Sequence, residues 1–246
     1  MRFSPRFKQR KSGLWMFDDK PPAKAFGYRV LGFGAYANRA VAGADVTSWK
    51  FVASSSQFLS ASDHADFDSI WDSDFCIEYW INHITINGAD RGHLTHYESG
   101  SKKVVFASNS GGDLTQMKVD GENSAAIWAY VTASSGLTTS TWQHVRHDRS
   151  SGTVSTYIDG VSKGSGAASG SVGNLSGAVH IGERQQVGVS VDAYMDEIRI
   201  SNISRAGGSD FTPPSAPFEV DANTISLIHC GELVGGGTFT DTAGTH

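Results

Sequence analysis

Cysteine is almost absent from this 246-residue chain. The two present, Cys76 and Cys230, are too few for a disulfide framework and have no companion Cys or His at finger-like spacing for zinc. Each lies inside a strand-like run, which favours two buried free thiols over a bridge. Proline occurs only at Pro5, Pro21, Pro22, Pro213, Pro214 and Pro217. Its ring excludes helix interior and central strand at those places. No apolar run approaches a bilayer span, so membrane insertion is not expected. The start, Met1-Arg-Phe-Ser-Pro-Arg-Phe7, lacks an apolar core and a small-residue cleavage site, so secretory export is not expected either. Helical periodicity is missing except for a turn around Asp63 to Asp68. No nucleophile elbow, phosphate-binding glycine loop or dinucleotide fingerprint occurs.

What is present is period-two alternation broken by turns. With 28 Gly and 39% hydrophobic residues the composition is that of a loop-rich β protein. Strand candidates recur at roughly ten-residue intervals. They cover 49–53, 57–61, 75–82, 93–98, 103–107, 114–119, 126–132, 142–148, 153–159, 178–182 and 192–202. In the last of these, alternation places Ala193, Met195, Glu197 and Arg199 on one face and Tyr194, Asp196, Ile198 and Ile200 on the other. Asp159-Gly160 is a hairpin-turn signal. Gly, Ser and Ala mark 162–174 as a flexible loop. Thr212 to Pro217 reads as a spacer, followed by one more strand from Thr224 to Cys230.

Charge is unevenly distributed. Residues 1–50 hold 10 of the 20 basic residues and 3 of the 25 acidic ones, so the head is about +7 and the body about −12. Arg2, Arg6, Lys8, Arg10 and Lys11 crowd the first eleven positions, with Trp15 and Phe17 close behind. Aperiodic aromatics need a surface to bury them, either the chain's own body or a neighbour. A solvated or locally packed arm accounts for this head without a partner; among partners, docking onto an acidic protein suits it better than nucleic acid. Residues 1–49 therefore read as an arm and linker, 50–230 as the folded body and 231–246 as a tail.

Six motifs stand in a telling order: Phe58-Leu-Ser-Ala-Ser62, Asp74-Phe-Cys-Ile-Glu-Tyr-Trp-Ile81, Trp142-Gln-His-Val145, Val154-Ser-Thr-Tyr-Ile-Asp-Gly160, His180-Ile-Gly182 and Met195-Asp-Glu-Ile-Arg-Ile-Ser-Asn202. This series resembles the laminin-G-like branch of the concanavalin A-like lectin/glucanase superfamily. The resemblance implies an all-β, antiparallel β-sandwich of jelly-roll type, here with an irregular N-terminal arm. Phe211-Thr-Pro-Pro214 and Pro217-Phe218 with a final apolar strand are similar to the ends of such domains in tailed-phage structural proteins. That likeness implies a non-catalytic virion protein, made without a secretory signal, with other virion proteins and its own copies as partners and surface glycans as ligands. A lectin independent of any particle and a glycoside hydrolase are the alternatives. Thr238 to His246 looks like the entrance to another copy of the domain, yet Leu227 to Cys230 is expected to fill a core sheet position instead.

Related glucanases carry two carboxylates on alternate positions of one strand. No such run exists here, so no catalytic residue is assigned and Glu78, Asp196 and Glu197 read as structural acids, the last two on opposite faces. The pairs His93/His96 and His144/His147 have i, i+3 spacing, which diverges on a strand and disfavours zinc. No cofactor is expected. Calcium at the rim is what the resemblance admits, through Asp113, Asp120, Glu122, Asn123, Glu183, Gln185, Gln186 and Asp192. Glycan contacts are expected from Tyr97, Trp128, Tyr130, Arg184, Gln186 and Asp192, an aromatic platform beside polar groups. Trp71, Trp80 and Trp142 are assigned to packing.

Overall fold

The computed structural model describes residues 29–30, 48–68, 70–86, 91–99, 102–108, 115–120, 131–133, 136–168, 171–184, 190–229 and 241–243. Arg2, Arg6, Lys8, Arg10, Lys11, Trp15, Phe17, Trp128, Tyr130, Gln186 and Cys230 lie outside them. In chain order the strands are β1 (Arg29–Val30), β2 (Trp49–Phe51), β3 (Leu59–Ala61), β4 (Phe75–His83), β5 (Arg91–Ser99), β6 (Lys102–Ser108) and β7 (Thr115–Asp120). They continue as β8 (Val131–Ala133), β9 (Gln143–Ser150), β10 (Thr153–Ile158), β11 (Val161–Ala167), β12 (Val179–Ile181), β13 (Ala193–Ser201) and β14 (Thr224–Ile228). A 3-10 turn at Ala65–Phe67 sits where the sequence places a turn.

Two antiparallel sheets face each other, as expected. The first runs β1-β3-β12-β5-β6-β7-β8 and the second β11-β10-β9-β4-β13-β14, with β2 beside the first half of β13. Alternation sends Phe75, Ile77, Tyr79 and Ile81 of β4 inward to meet Leu94, Val104 and Phe106 of the first sheet. Trp71 fills the space between, edge-on to Phe75. The sheets draw on both flanking segments of the chain. Arg29–Val30 pairs with β3, and Thr242 N–H donates to Leu227 O at 2.8 Å beside β14.

Several local expectations are corrected. Residues 162–167, the first part of the stretch read as flexible loop, join Val161 in β11 and pair with β10 through the hairpin at Asp159-Gly160. Backbone ladder bonds need no side chains, so composition hides an edge strand. Both turn residues have positive φ, 52° and 79°, as a type I′ turn requires. A Cβ on Gly160 would also lie 1.8 Å from Phe211 O, so this glycine has no substitute. Along β13 the alternation slips, because a bulge between Asp196 and Arg199 gives Glu197 a φ of 53°. Ala193, Met195, Ile198 and Ile200 therefore all face the core. A second bulge, between Gly92 and Leu94, turns His93 inward together with His96.

β14 is a core strand. Ile225 and Ile228 join the main cluster while Leu227 packs on the other side with Phe218 and Ala243. Asp241 Oδ1 accepts from Leu227 N at 2.8 Å and occupies the strand's outer edge.

Candidate functional site on the outer face and rim of the second sheet

Register aligns the outward residues of β4, β9 and β13 in rows. Cys76 lies between Asp148 and Ser201, Glu78 between Arg146 and Arg199, and Trp80 between His144 and Asp196. Asn82 then lies beside Tyr194, which in turn faces Lys50 of β2.

The first three rows, buried except for the half-buried Trp80, lie beneath residues 202–223, the connection from β13 to β14. Arg205 N donates to Asp148 Oδ1 at 2.7 Å, Asp210 Oδ1 accepts from Ser162 N at 2.8 Å, and Phe211 N donates to Gly160 O at 2.9 Å. Phe211 lies 3.6 Å from the Arg146 guanidinium and Phe218 lies 4.4 Å from that of Arg199. The stretch read as a spacer thus forms part of a cover, anchored by an aromatic ring at each end of its prolines.

Under that cover Glu78 is fully buried and binds two guanidinium groups. Arg146 Nε and Nη2 reach Oε2 at 3.0 and 2.6 Å; Arg199 Nε reaches Oε1 at 2.9 Å, and its Nη2 closes the fork. Burial alone would raise the Glu78 carboxyl, but the His144 contact and the two arginines outweigh it and hold it well below the ordinary carboxylate range. His144 Nε2 approaches to 3.3 Å without hydrogen-bond geometry. Its own burial lowers its pKa, so it adds no full charge at neutral pH.

Asp196 and Glu197 both belong to this outer face, which corrects their assignment to opposite faces; the bulge supplies the extra residue that brings them together. Glu197 Oε2 accepts from Phe218 N at 2.6 Å and its Oε1 lies 2.7 Å from His229 Nδ1. Asp196 Oδ1 accepts from Glu197 N at 2.8 Å. Cys76 is a buried free thiol whose pKa burial pushes up.

The inner side of the sheets holds a histidine chain. Tyr79 Oη lies 2.7 Å from His93 Nδ1 and 3.3 Å from His147 Nε2. His93 Nε2 meets His83 Nε2 at 3.3 Å, and His147 Nδ1 meets Thr156 Oγ1 at 3.2 Å. His96 stands apart, accepting from Trp71 Nε1 at 2.8 Å and donating from Nε2 to Gly177 O at 3.0 Å. His144 points the other way from His147, outward, as strand alternation predicts. Among the described residues no three His, Cys, Asp or Glu side chains gather around a common point.

At one rim, the ends of β4 and β5 meet residues 182–184 and 190–192. Asp192 Oδ2 accepts from Thr85 Oγ1 at 3.1 Å, and Arg91 Nη1 donates to Ser190 O at 3.1 Å. A Cβ on Gly92 would lie 2.2 Å from Arg184 N, so glycine admits that loop. Arg184 and Asp192 therefore share a rim. Tyr97 does not join them: it lies five residues further along β5 than Gly92, about 16 Å at strand rise, and its N–H bonds Ala178 O. Among the proposed calcium oxygens, Glu183 is buried 3.4 Å from His180 Nδ1, while Asp113, Glu122, Asn123, Gln185 and Gln186 lie outside the described residues.

A family model described as the concanavalin A-like lectin/glucanases superfamily matches residues 53–207. No curated protein matches the chain. Domain 4 of AbnA, a GH43 extracellular arabinanase from Geobacillus stearothermophilus solved with arabinotriose, is 14% identical with a TM-score of 0.52, over 70% of this chain and 81% of that one. The enzymatically active domain of tailspike protein 2 from bacteriophage CBA120 is 11% identical with a TM-score of 0.57, over 90% of this chain and 34% of that one. The botulinum neurotoxin serotype D binding domain is 13% identical with a TM-score of 0.54, over 74% and 44% respectively. The likeness is one of fold, and this chain spans about a third of the tailspike chain and under half of the neurotoxin one.

Proposed function

The chain belongs to the concanavalin A-like lectin/glucanases superfamily, and on that premise we propose that it is a non-catalytic adhesion protein of a virus particle. In this reading the arm, residues 1–49, docks on other virion proteins and the acidic sandwich is displayed toward surface glycans. The observation that carries the non-catalytic part is the engagement of Glu78, Asp148, Asp196 and Glu197, described residues of the second sheet's outer face, by neighbouring groups. Glycoside hydrolysis needs one carboxyl that can hold a proton near neutral pH and a second facing the same bond. Glu78 is held ionised between Arg146 and Arg199, and Glu197 is committed to Phe218 N and His229. The particle part is supported by the contrast between the basic, aromatic head and the acidic body, and by a phage tailspike domain sharing the fold.

The test is co-purification. The full chain is expected to sediment with particles and to lose incorporation when residues 1–25 are removed, with the body still folded. Unchanged incorporation defeats the docking arm. Reducing ends released from polysaccharide, and lost in Glu197→Gln, would replace adhesion with hydrolysis.

A further inference from the structure

The covering segment leaves one row of the second sheet's outer face uncovered. We infer that Trp142, Asn82, Tyr194 and Lys50 form a shallow platform for a short oligosaccharide bearing an acidic group. The inference rests on the glycan-adhesion reading above and assigns it a place. Tyr194 is the register partner of Asn82 on one side and of Lys50 on the other. The β9 register with β4 ends at Gln143 opposite Ile81, so Trp142, one residue earlier, comes beside Asn82. All four side chains are half-buried. That differs from the packing role the sequence suggests for Trp142.

Chemistry distinguishes this row from its neighbours. Glu78, Arg146 and Arg199 saturate one another. In the uncovered row, and among the described residues, the Asn82 amide, the Tyr194 hydroxyl and the Trp142 indole N–H have no hydrogen-bond partner, and the Lys50 ammonium lies over the Tyr194 ring, 5.7 Å from its centroid. An aromatic ring at each side of a free amide offers apolar faces for sugar C–H groups and donors and acceptors for their hydroxyls. Lys50 supplies a positive charge for a carboxylate or sulfate at one end. Four adjacent strands put about 14 Å between the ends of the row, the reach of a short oligosaccharide rather than one ring. The row also adjoins the rim, since Asn82 precedes Thr85 and Tyr194 follows Asp192, which are bonded to each other at 3.1 Å.

The test uses the full chain on an array of neutral, uronic-acid-bearing and sialylated oligosaccharides. Binding to acidic members is expected. Tyr194→Ala and Trp142→Ala should each weaken it about tenfold, the scale of one lost aromatic contact, and Lys50→Met should remove the preference for acidic over neutral sugars. Asn82→Ala, which disturbs no packing ring, serves if Trp142→Ala fails to fold. Wild-type binding that all four variants retain would overturn the platform and leave the adhesion reading standing. Wild-type silence across the array would overturn both.

Discussion

Glu78 is the residue whose surroundings decide most about the outer face. A fully buried carboxylate with two forked arginines resists loss of one partner far more than the pair's net worth suggests, because removal leaves uncompensated charge. Glu78→Ala strands Arg146 and Arg199 under Phe211 and Phe218. It is expected to cost about 3–5 kcal/mol in urea unfolding. Glu78→Gln, which keeps the shape but not the charge, should cost nearly as much. A loss below about 1 kcal/mol, typical of an exposed pair, would mean that the cover opens and water reaches the site. None of this was legible residue by residue. Glu78 was readable as structural because no second acid stood two positions away, but its partners are 68 and 121 residues distant.

At the scale of elements, strands with a clean period of two were legible, and those whose identity lies in the backbone were not. β4 carries a large apolar residue at every second position, and β4, β6 and β9 all lie within two residues of the ranges expected from the sequence. β11 is made of Ser, Lys, Gly and Ala, and what makes it a strand is the ladder to β10 and the turn at Asp159-Gly160. Bulges were invisible for a related reason. A strand that admits one extra residue looks in sequence like one that does not, so the face of every later side chain on β13 was misassigned. β14 was legible as an apolar run, and its place beside β13 makes a strong prediction. Removing residues 224–246 strips Ile225 and Ile228 from the main core and Leu227 from the cluster with Phe218. Losses of about 2–5 kcal/mol for each of these three side chains together are comparable to the whole stability of an ordinary domain. The truncated chain is expected to show no cooperative thermal transition; a melt matching the full chain would refute the core role of β14.

For the whole molecule, the inner histidines tie the stability of the sandwich to pH. Burial lowers His83 to about 4 and His147 to about 3, and burial followed by repulsion from His83 and His147 lowers His93 well below its ordinary value. Hydrogen bonding points the same way without any titration argument. Trp71 Nε1 can only donate, so His96 Nδ1 must accept, and a doubly protonated ring has no acceptor. In the unfolded chain these rings titrate near 6.5. Because the folded values are depressed, the stabilisation is complete above about pH 6.5 and is lost as pH falls toward the folded values, at about 1.4 kcal/mol per pH unit for each ring. Glu78, held low in the fold, adds a loss of the same sign below its unfolded value near 4.5. Glu183, which burial raises, opposes it in part. Three rings over two pH units amount to about 8 kcal/mol, comparable to the whole stability of a domain. Urea unfolding repeated from about pH 7 down to 4.5 should therefore show stability falling with the slope of several protons. His147→Phe fills the same space beside Phe106 and removes one titrating ring; it should lower stability at neutral pH by breaking the bonds to Tyr79 and Thr156, yet flatten the slope by about one proton. A wild-type curve with no slope across that range would mean that the rings titrate alike in the folded and unfolded chain, and that water reaches the space between the sheets.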